Sequence, residues 1–310
     1  MTNENSPKVF IPEVKESWVV DRFRIEWING NKELFTKNIF KSDIVWIIAP
    51  WIWNKIPRIL LSKKKVLCTI HHFEDKDLKG DGLKDFYRRD KYITAYHVIS
   101  KPTYEQLKKL TGKAIFCSPF WVNENIWYEI EDKSKLKDKL GIEKSDYLVG
   151  SFQRDTEGHD LKSPKLIKGP DRLLQILQFI NNEKKDLLVI LAGTRRQYLI
   201  NKLNEMSIKF KYFELTDYKK LNELYNILDL YIVSSRVEGG PQAILECSIT
   251  KTPVISTDVG IAKEILSQQS IFNMNNYKDA KPDIVHAYNK AKNLTYFNHI
   301  DNFNKMFFEL

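Results

Sequence analysis

The opening of the chain has no glycine, the first of the 12 being Gly30. Neither G-x-G-x-x-G nor a Walker A sequence occurs anywhere in the chain. The phosphate cradles of dinucleotide oxidoreductases and P-loop nucleotidases are therefore missing. Cysteine is limited to Cys68, Cys117 and Cys247, all in or beside apolar runs and without C-x-x-C spacing. That argues against a disulfide framework or a zinc site and fits a reducing compartment. No apolar run approaches the roughly 20 residues that span a bilayer. The first residues, Met-Thr-Asn-Glu-Asn-Ser-Pro, lack the apolar core of a signal peptide. The expectation is a soluble cytoplasmic protein. Tryptophan is absent beyond residue 127, all seven lying within the first 127 residues, so the two halves of the chain differ chemically.

What is present is an excess of positive charge, +9 over 310 residues. It favours anionic partners. The lysines are spread along the chain and no recognition motif accompanies them, so nucleic acid is not the expected partner. A nucleotide-linked substrate or an anionic membrane face accounts for the charge as well. Trp51-Ile-Trp53 with Arg58 and Lys63-Lys64-Lys65 has two readings. One is an interfacial helix face making peripheral contact with the inner membrane surface. The other, favoured because most tryptophans are flanked by strand residues, is packing in an α/β core.

Short apolar, β-rich runs alternate with helical patterns along the whole chain. Strands are expected at 8–12, 43–49, 65–70, 95–99 and 113–117, with helices at 50–61, 85–92 and 102–110. After a charged stretch at 123–146, strands follow at 147–152, 187–192, 211–215, 230–233, 254–256 and 270–273. Helices are expected at 171–180, 196–206, 218–227, 242–249 and through Ala291, and the tail 299–310 is amphipathic. Such alternation predicts parallel, helix-flanked sheets in two doubly wound domains with a cleft between them. The charged stretch is the natural domain boundary.

One unit stands out, Asp229 to Leu266. A buried strand runs into Gly239-Gly240-Pro241, then an apolar-striped helix, then another strand. A glycine turn opening a helix presents free N–H groups and the positive end of the helix dipole at the strand's carboxyl edge, an arrangement suited to an anion. Glu238 and Glu246 flank it, eight residues apart, which in a helix is roughly 12 Å.

Arg236-Val-Glu238-Gly239-Gly240-Pro241-Gln-Ala-Ile-Leu-Glu246 resembles the E-x7-E signature of retaining, nucleotide-sugar-dependent glycosyltransferases of family four. Gly150-Ser-Phe-Gln-Arg154 with Lys168-Gly169-Pro-Asp171-Arg-Leu-Leu resembles the segment that opens their donor domain. Cys117-Ser-Pro119 through Trp127, Val98-Ile99-Ser100 and Thr69-Ile70-His71 are similar to further family positions, so the resemblance covers roughly residues 65–270. It implies the GT-B fold, two Rossmann-like domains with parallel sheets facing a central cleft. The acceptor-side domain would be 1–122, the donor domain 123–294, and 295–310 a C-terminal helix returning to the first domain. It further implies a UDP- or GDP-sugar donor, a glycan or lipid-linked hydroxyl acceptor, and transfer without a metal or other cofactor. Arg154 and Lys168 would hold the diphosphate together with Gly239, Gly240 and Pro241, Glu238 and His71 the sugar, and Glu246 the ribose. Because no glycine-rich loop follows the first strand, Trp18, Asp21 and Arg22 are the acceptor-side candidates. An insert, Asp155 to Lys165, separates Arg154 from Lys168 and leaves open whether Lys162 or Lys165 replaces either. Two other readings remain: a nucleotide-sugar-binding protein with little turnover, and a metal-dependent transferase using Asp75 and Asp77. A calcium loop starting at Asp75 fails because Phe86 stands where a bidentate glutamate is required.

Overall fold

The computed structural model describes residues 6–15 and 19–310. The chain divides into two compact units, Met1–Phe120 with Ile300–Leu310, and Trp121–His299. The last helix, Tyr296–Glu309, crosses that division.

The first unit holds a parallel sheet of β1 (Val9–Phe10), β2 (Ile44–Ile47), β3 (Lys65–Ile70), β4 (Ala95–Val98) and β5 (Ala114–Cys117), in that spatial order. On the far side of β1, Val9 makes one parallel bridge to Phe35. The chain therefore steps to one side of β1 and then returns past it to β2, the reversal of a doubly wound fold with its second strand reduced to a single residue. Helices cover both faces. Trp27, on the helix Val19–Gly30, packs edge-on to Trp46, while Phe86, on the helix Gly80–Asp90, stacks on Tyr96. Trp46 and Tyr96 occupy opposite sheet faces, as the strand register and the period of two require. The end of the last helix closes the Trp46 face through Phe303 and Phe307, and Trp27 Nε1 donates to Asn304 Oδ1 at 2.8 Å.

Two readings change here. The expected helix over 50–61 is a 3-10 turn, Pro50–Lys55, followed by a separate short helix, Arg58–Leu61. Pro57 lies between them and has no N–H to continue the hydrogen-bond ladder. The pair Trp51 and Trp53 therefore does not form an apolar helix face. Trp53 is buried and donates to Asp85 at 3.2 Å, and Trp51 lies against His71. The helix Val19–Gly30 was not among the expected elements; its polar residues, such as Arg22, Arg24 and Glu26, blur its apolar stripe.

In the second unit β6 (Tyr147–Ser151) leads into a small antiparallel hairpin, β7 (Thr156–Glu157) and β8 (Ser163–Pro164). Then come β9 (Leu187–Ala192), β10 (Phe210–Phe213), β11 (Leu230–Val233), β12 (Val254–Thr257) and β13 (Ile271–Phe272). The main sheet is wholly parallel in the order β10-β9-β6-β11-β12-β13. Alternate strand residues feed two cores. Leu148, Ile190 and Tyr231 face one, and Val149, Val189 and Ile232 face the other. Burial on both faces explains why these strands read as continuous apolar runs. Strand order reverses between β6 and β11, and the carboxyl edge at such a reversal is where open α/β sheets bind ligands.

Candidate active site

Four side chains converge at that edge. The Lys168 ammonium donates to Glu238 Oε1 at 2.6 Å, both groups being largely shielded from solvent. Ser235, two residues past β11, approaches the same oxygen at 2.9 Å and Gln153 Oε1 at 3.1 Å, with one hydroxyl proton to share between them. Gln153, two residues past β6, donates through Nε2 to the Lys168 carbonyl at 3.0 Å. The group thus ties both strands at the reversal to the start of the helix Pro170–Glu183.

Backbone geometry demands glycine at two places beside it. Gly169 is left-handed, φ +62°, and a Cβ there would lie 2.0 Å from the Ser234 carbonyl oxygen. Gly260, φ +51°, backs the Gly239 turn, where a Cβ would come within 2.2 Å of the Gly239 oxygen. Neither contact tolerates a side chain. The N–H groups of Gly239 and Gly240 donate to none of the described residues. They lead into the helix Gln242–Ile249, whose N-cap is Pro241. Glu238 precedes that helix, so only part of the eight-residue spacing to Glu246 is helical and the 12 Å rise does not apply.

Glu246 is buried on this helix, and the Tyr225 hydroxyl donates to its Oε2 at 2.9 Å. Burial and the Glu246 charge hold the Tyr225 pKa well above the phenolic range, so the hydroxyl stays a donor. Tyr225→Phe should remove one of the hydrogen bonds that orient Glu246 without exposing apolar surface. If Glu246 grips substrate, donor KM should rise by about tenfold with kcat changed less, the size of one hydrogen bond to a charged group. Equal kinetics in steady-state assays would dissociate Tyr225 from the site.

Arg236 clamps the loop from below. Its two terminal nitrogens meet Asp171 at 2.8 and 2.5 Å, and Nη1 also donates to the Leu166 carbonyl. The hydrogen bonds from Arg236 lower the Asp171 pKa.

The insert between Arg154 and Lys168 is the β7–β8 hairpin, and it is pinned rather than loose. Asp155 and Thr156 N–H groups donate to the Arg195 carbonyl, and Lys165 N–H to the Asp155 carbonyl. Beneath it Arg196, fully buried, donates to Asp155 at 2.5 Å and to the carbonyls of Ser151 and Ala192 at 2.6 and 2.8 Å. Arg154 is exposed, with Nε donating to the Thr156 carbonyl at 3.2 Å, and it makes no hydrogen bond to the Lys168–Glu238 group. Desolvation and then the neighbouring Arg195 charge hold its pKa below the usual guanidinium value. Lys162 is exposed and Lys165 half-buried.

In the first unit, His71 follows β3. Its Nε2–H donates to the Ile48 carbonyl at 2.9 Å, leaving Nδ1 as an acceptor. Burial, more than the adjacent His72, pushes its pKa down to about 4, so the ring is neutral at neutral pH. Asp21 accepts from the Lys15 N–H at 3.2 Å, and Arg22 is buried, 3.8 Å from Glu26. Trp18 lies outside the described residues. Asp75 is exposed, and Asp77 accepts from the Glu74 N–H at 2.8 Å. No cluster of three or more His, Cys, Asp or Glu side chains suited to a metal ion forms among the described residues.

Gln153, Ser235 and Tyr225 were not among the sequence candidates. Gln153 stood unassigned inside a quoted motif, and nothing local to Tyr225 marks a partner 21 residues away.

Two α/β units with parallel sheets and a reversal-edge site define the architecture as GT-B. Residues 163–297 match the family model for glycosyl transferases group 1, a span that includes Lys168, Glu238 and Glu246. No curated protein matches the chain. Among solved structures, HepE of Anabaena in complex with UDP and glucose is similar at a TM-score of 0.77 and 12% identity, covering 98% of this chain and 100% of that one. A glycosyltransferase from Rickettsia africae gives 0.71 at 18% identity, covering 98% of each. Sucrose-phosphate synthase of Thermosynechococcus elongatus gives 0.69 at 13%, over 86% of this chain and 73% of that one. At such identities the likeness speaks for the fold.

Proposed function

We propose that the chain is a glycosyltransferase that moves a sugar from a nucleotide diphosphate, a UDP-sugar first among the candidates, to a hydroxyl of a glycan or lipid-linked acceptor. The observation that carries the proposal is the convergence of Lys168, Glu238 and the undonated Gly239 and Gly240 N–H groups at the reversal edge. All of them lie inside the segment that matches glycosyl transferases group 1. UDP is preferred because similar structures hold UDP, UDP with glucose, or UDP-glucose.

Negative charge grows on the diphosphate as the sugar bond breaks, so fixed cations and N–H dipoles at that point lower the barrier. Lys168 and the glycine amides supply them, with Arg154 the second cation from the hairpin rim. Glu238 accepts from sugar hydroxyls, and Glu246 from the vicinal ribose hydroxyls, for which a carboxylate is a bidentate acceptor. In the first unit, His71 with its neutral Nδ1 is the sugar-side candidate, and Asp21 and Arg22, with Trp18, are the acceptor-side candidates. Transfer proceeds with retention. The acceptor oxygen bonds to the anomeric carbon on the face the phosphate leaves, and the acceptor proton passes to the departing phosphate oxygen. Positioning and charge stabilisation suffice, and no metal takes part.

A thermal-shift comparison of UDP, GDP and ADP with the intact chain tests the donor. At about a hundredfold above Kd a ligand adds about 2.7 kcal/mol of apparent stability. UDP should therefore raise Tm by several degrees, and Glu246→Ala should abolish the rise; no response to any nucleotide would refute the reading. Turnover of the responding UDP-sugar should persist in excess EDTA, and its loss there would refute the metal-free mechanism.

A further inference from the structure

Two-thirds of the chain's excess charge sits in one short stretch. Residues 37–65 hold seven lysines and arginines against the single acid Asp43, a net +6 of the total +9. The fold gathers the end of this stretch at the amino edge of the first unit's sheet. Phe40 lies in the turn Ile39–Lys41 that enters β2, and Ile59 in the helix Arg58–Leu61 that leads to β3. The Lys64 ammonium binds the carbonyls of both Phe40 and Ser42, tying the two lead-ins together. Phe308, near the end of the last helix, lines a groove of about 650 Å³ with Lys63, Lys64 and Lys65.

Three large apolar side chains break the surface here: Phe40 is 73% exposed, Ile59 64% and Phe308 58%. Scattered exposed apolar residues are ordinary, but three on one edge, beside exposed Lys41, Lys63 and Lys65, make a patterned surface. Asp43 is occupied by the Lys8 N–H at 2.7 Å, and Glu309, next to Phe308, leaves the cations in excess. A nucleic acid would satisfy the lysines and leave the apolar side chains without a role. An anionic bilayer uses both. Apolar tips enter the boundary between headgroups and acyl chains, while lysine stems lie along it with their ammonium groups among the phosphates. None of the described helices is long and apolar enough to cross a membrane, so contact of this kind is lateral.

We propose that the amino edge of the β1–β5 sheet docks on an anionic lipid bilayer, through Phe40, Ile59 and Phe308 and the lysines around them. The proposal does not depend on the transfer reaction. This edge lies at the opposite end of the strands from His71 and shares no residue with the proposed site.

Co-sedimentation of the intact chain with vesicles is the test. Equimolar phosphatidylglycerol and phosphatidylcholine should bind it, phosphatidylcholine alone should not, and added salt should release it. The triple variant Phe40→Ser, Ile59→Ser, Phe308→Ser should weaken binding by about tenfold or more, and Lys63→Gln with Lys65→Gln by a similar factor. All five residues are largely exposed, so Tm should hold, and nucleotide-induced shifts should be unchanged. Equal binding to both vesicle types overturns the proposal. So does undiminished binding by the serine variant with heparin as an effective competitor, which would make the edge a general polyanion contact.

Discussion

Lys168→Ala is expected to lower kcat by about 10²–10³-fold, the range for removing one preorganised charge-stabilising group. The reason lies in the geometry at the reversal edge. The ammonium is held 2.6 Å from Glu238, and the Lys168 carbonyl is itself fixed by Gln153. Lysine at this point is therefore preorganised, and under the proposed function its charge would meet the developing phosphate charge with little rearrangement. Its removal also leaves the Glu238 carboxylate with Ser235 as its remaining hydrogen-bond donor in this group, turning a balanced pair into an uncompensated negative charge where the proposed function places the diphosphate. Both effects act on the transition state more than on ground-state binding, so kcat should fall further than donor KM rises. The control is Lys165→Ala and Lys162→Ala on the hairpin, which should stay within a few-fold of wild type. Should either of these show the loss while Lys168→Ala remains active, the phosphate ligand has been misassigned. Steady-state kinetics with a UDP-sugar, at fixed acceptor, reads the difference.

Asp155→Ala is expected to destabilise the second unit by about 3–5 kcal/mol, the range for leaving a buried charge without its partner. Arg196 is fully enclosed, and Asp155 is its carboxylate partner at 2.5 Å. Two carbonyls, of Ser151 and Ala192, would remain as acceptors, but neither carries charge. The aspartate also accepts from the Thr156 hydroxyl at 2.7 Å and the Leu199 N–H at 3.3 Å, so the loss loosens the hairpin at its root. Asp155→Asn, which keeps the shape and some acceptors, should cost less. The double variant Asp155→Ala, Arg196→Met should recover part of the loss, because removing both charges removes the uncompensated one. Urea unfolding followed by far-UV circular dichroism reports the outcome. A midpoint for Asp155→Ala equal to wild type would mean that Arg196 is solvated in a way the packing does not show.

Much of the fold was legible because the signals are local. β3, β9 and β11 and the helices Tyr218–Ile227 and Gln242–Ile249 have the expected limits, since burial on both faces or along one stripe writes a clear period into the residues. The misses have equally local causes. Pro57 interrupts what seemed one helix, and polar residues within the stripe of Val19–Gly30, buried Arg22 among them, hide another. The pairing on the far side of β1 is a single bridge at Phe35, too short to leave any pattern.

The candidate site divides in the same way. Residue types and their order along the chain are enough to mark a glycine turn, two glutamates and an upstream lysine, and to imply a phosphate-bearing ligand. What only the tertiary structure decides is which of them meet. Lys168 and Glu238 are 70 residues apart, and their pairing depends on β6 and β11 lying side by side where the winding reverses. Tyr225 reaches Glu246 for a similar reason, across two helices whose packing no window of sequence contains. Periodicity reports how each segment meets solvent, whereas partner choice depends on the direction in which the chain crosses between strands. The acids and the lysine are thus properties of the sequence, and the site they form is a property of the fold.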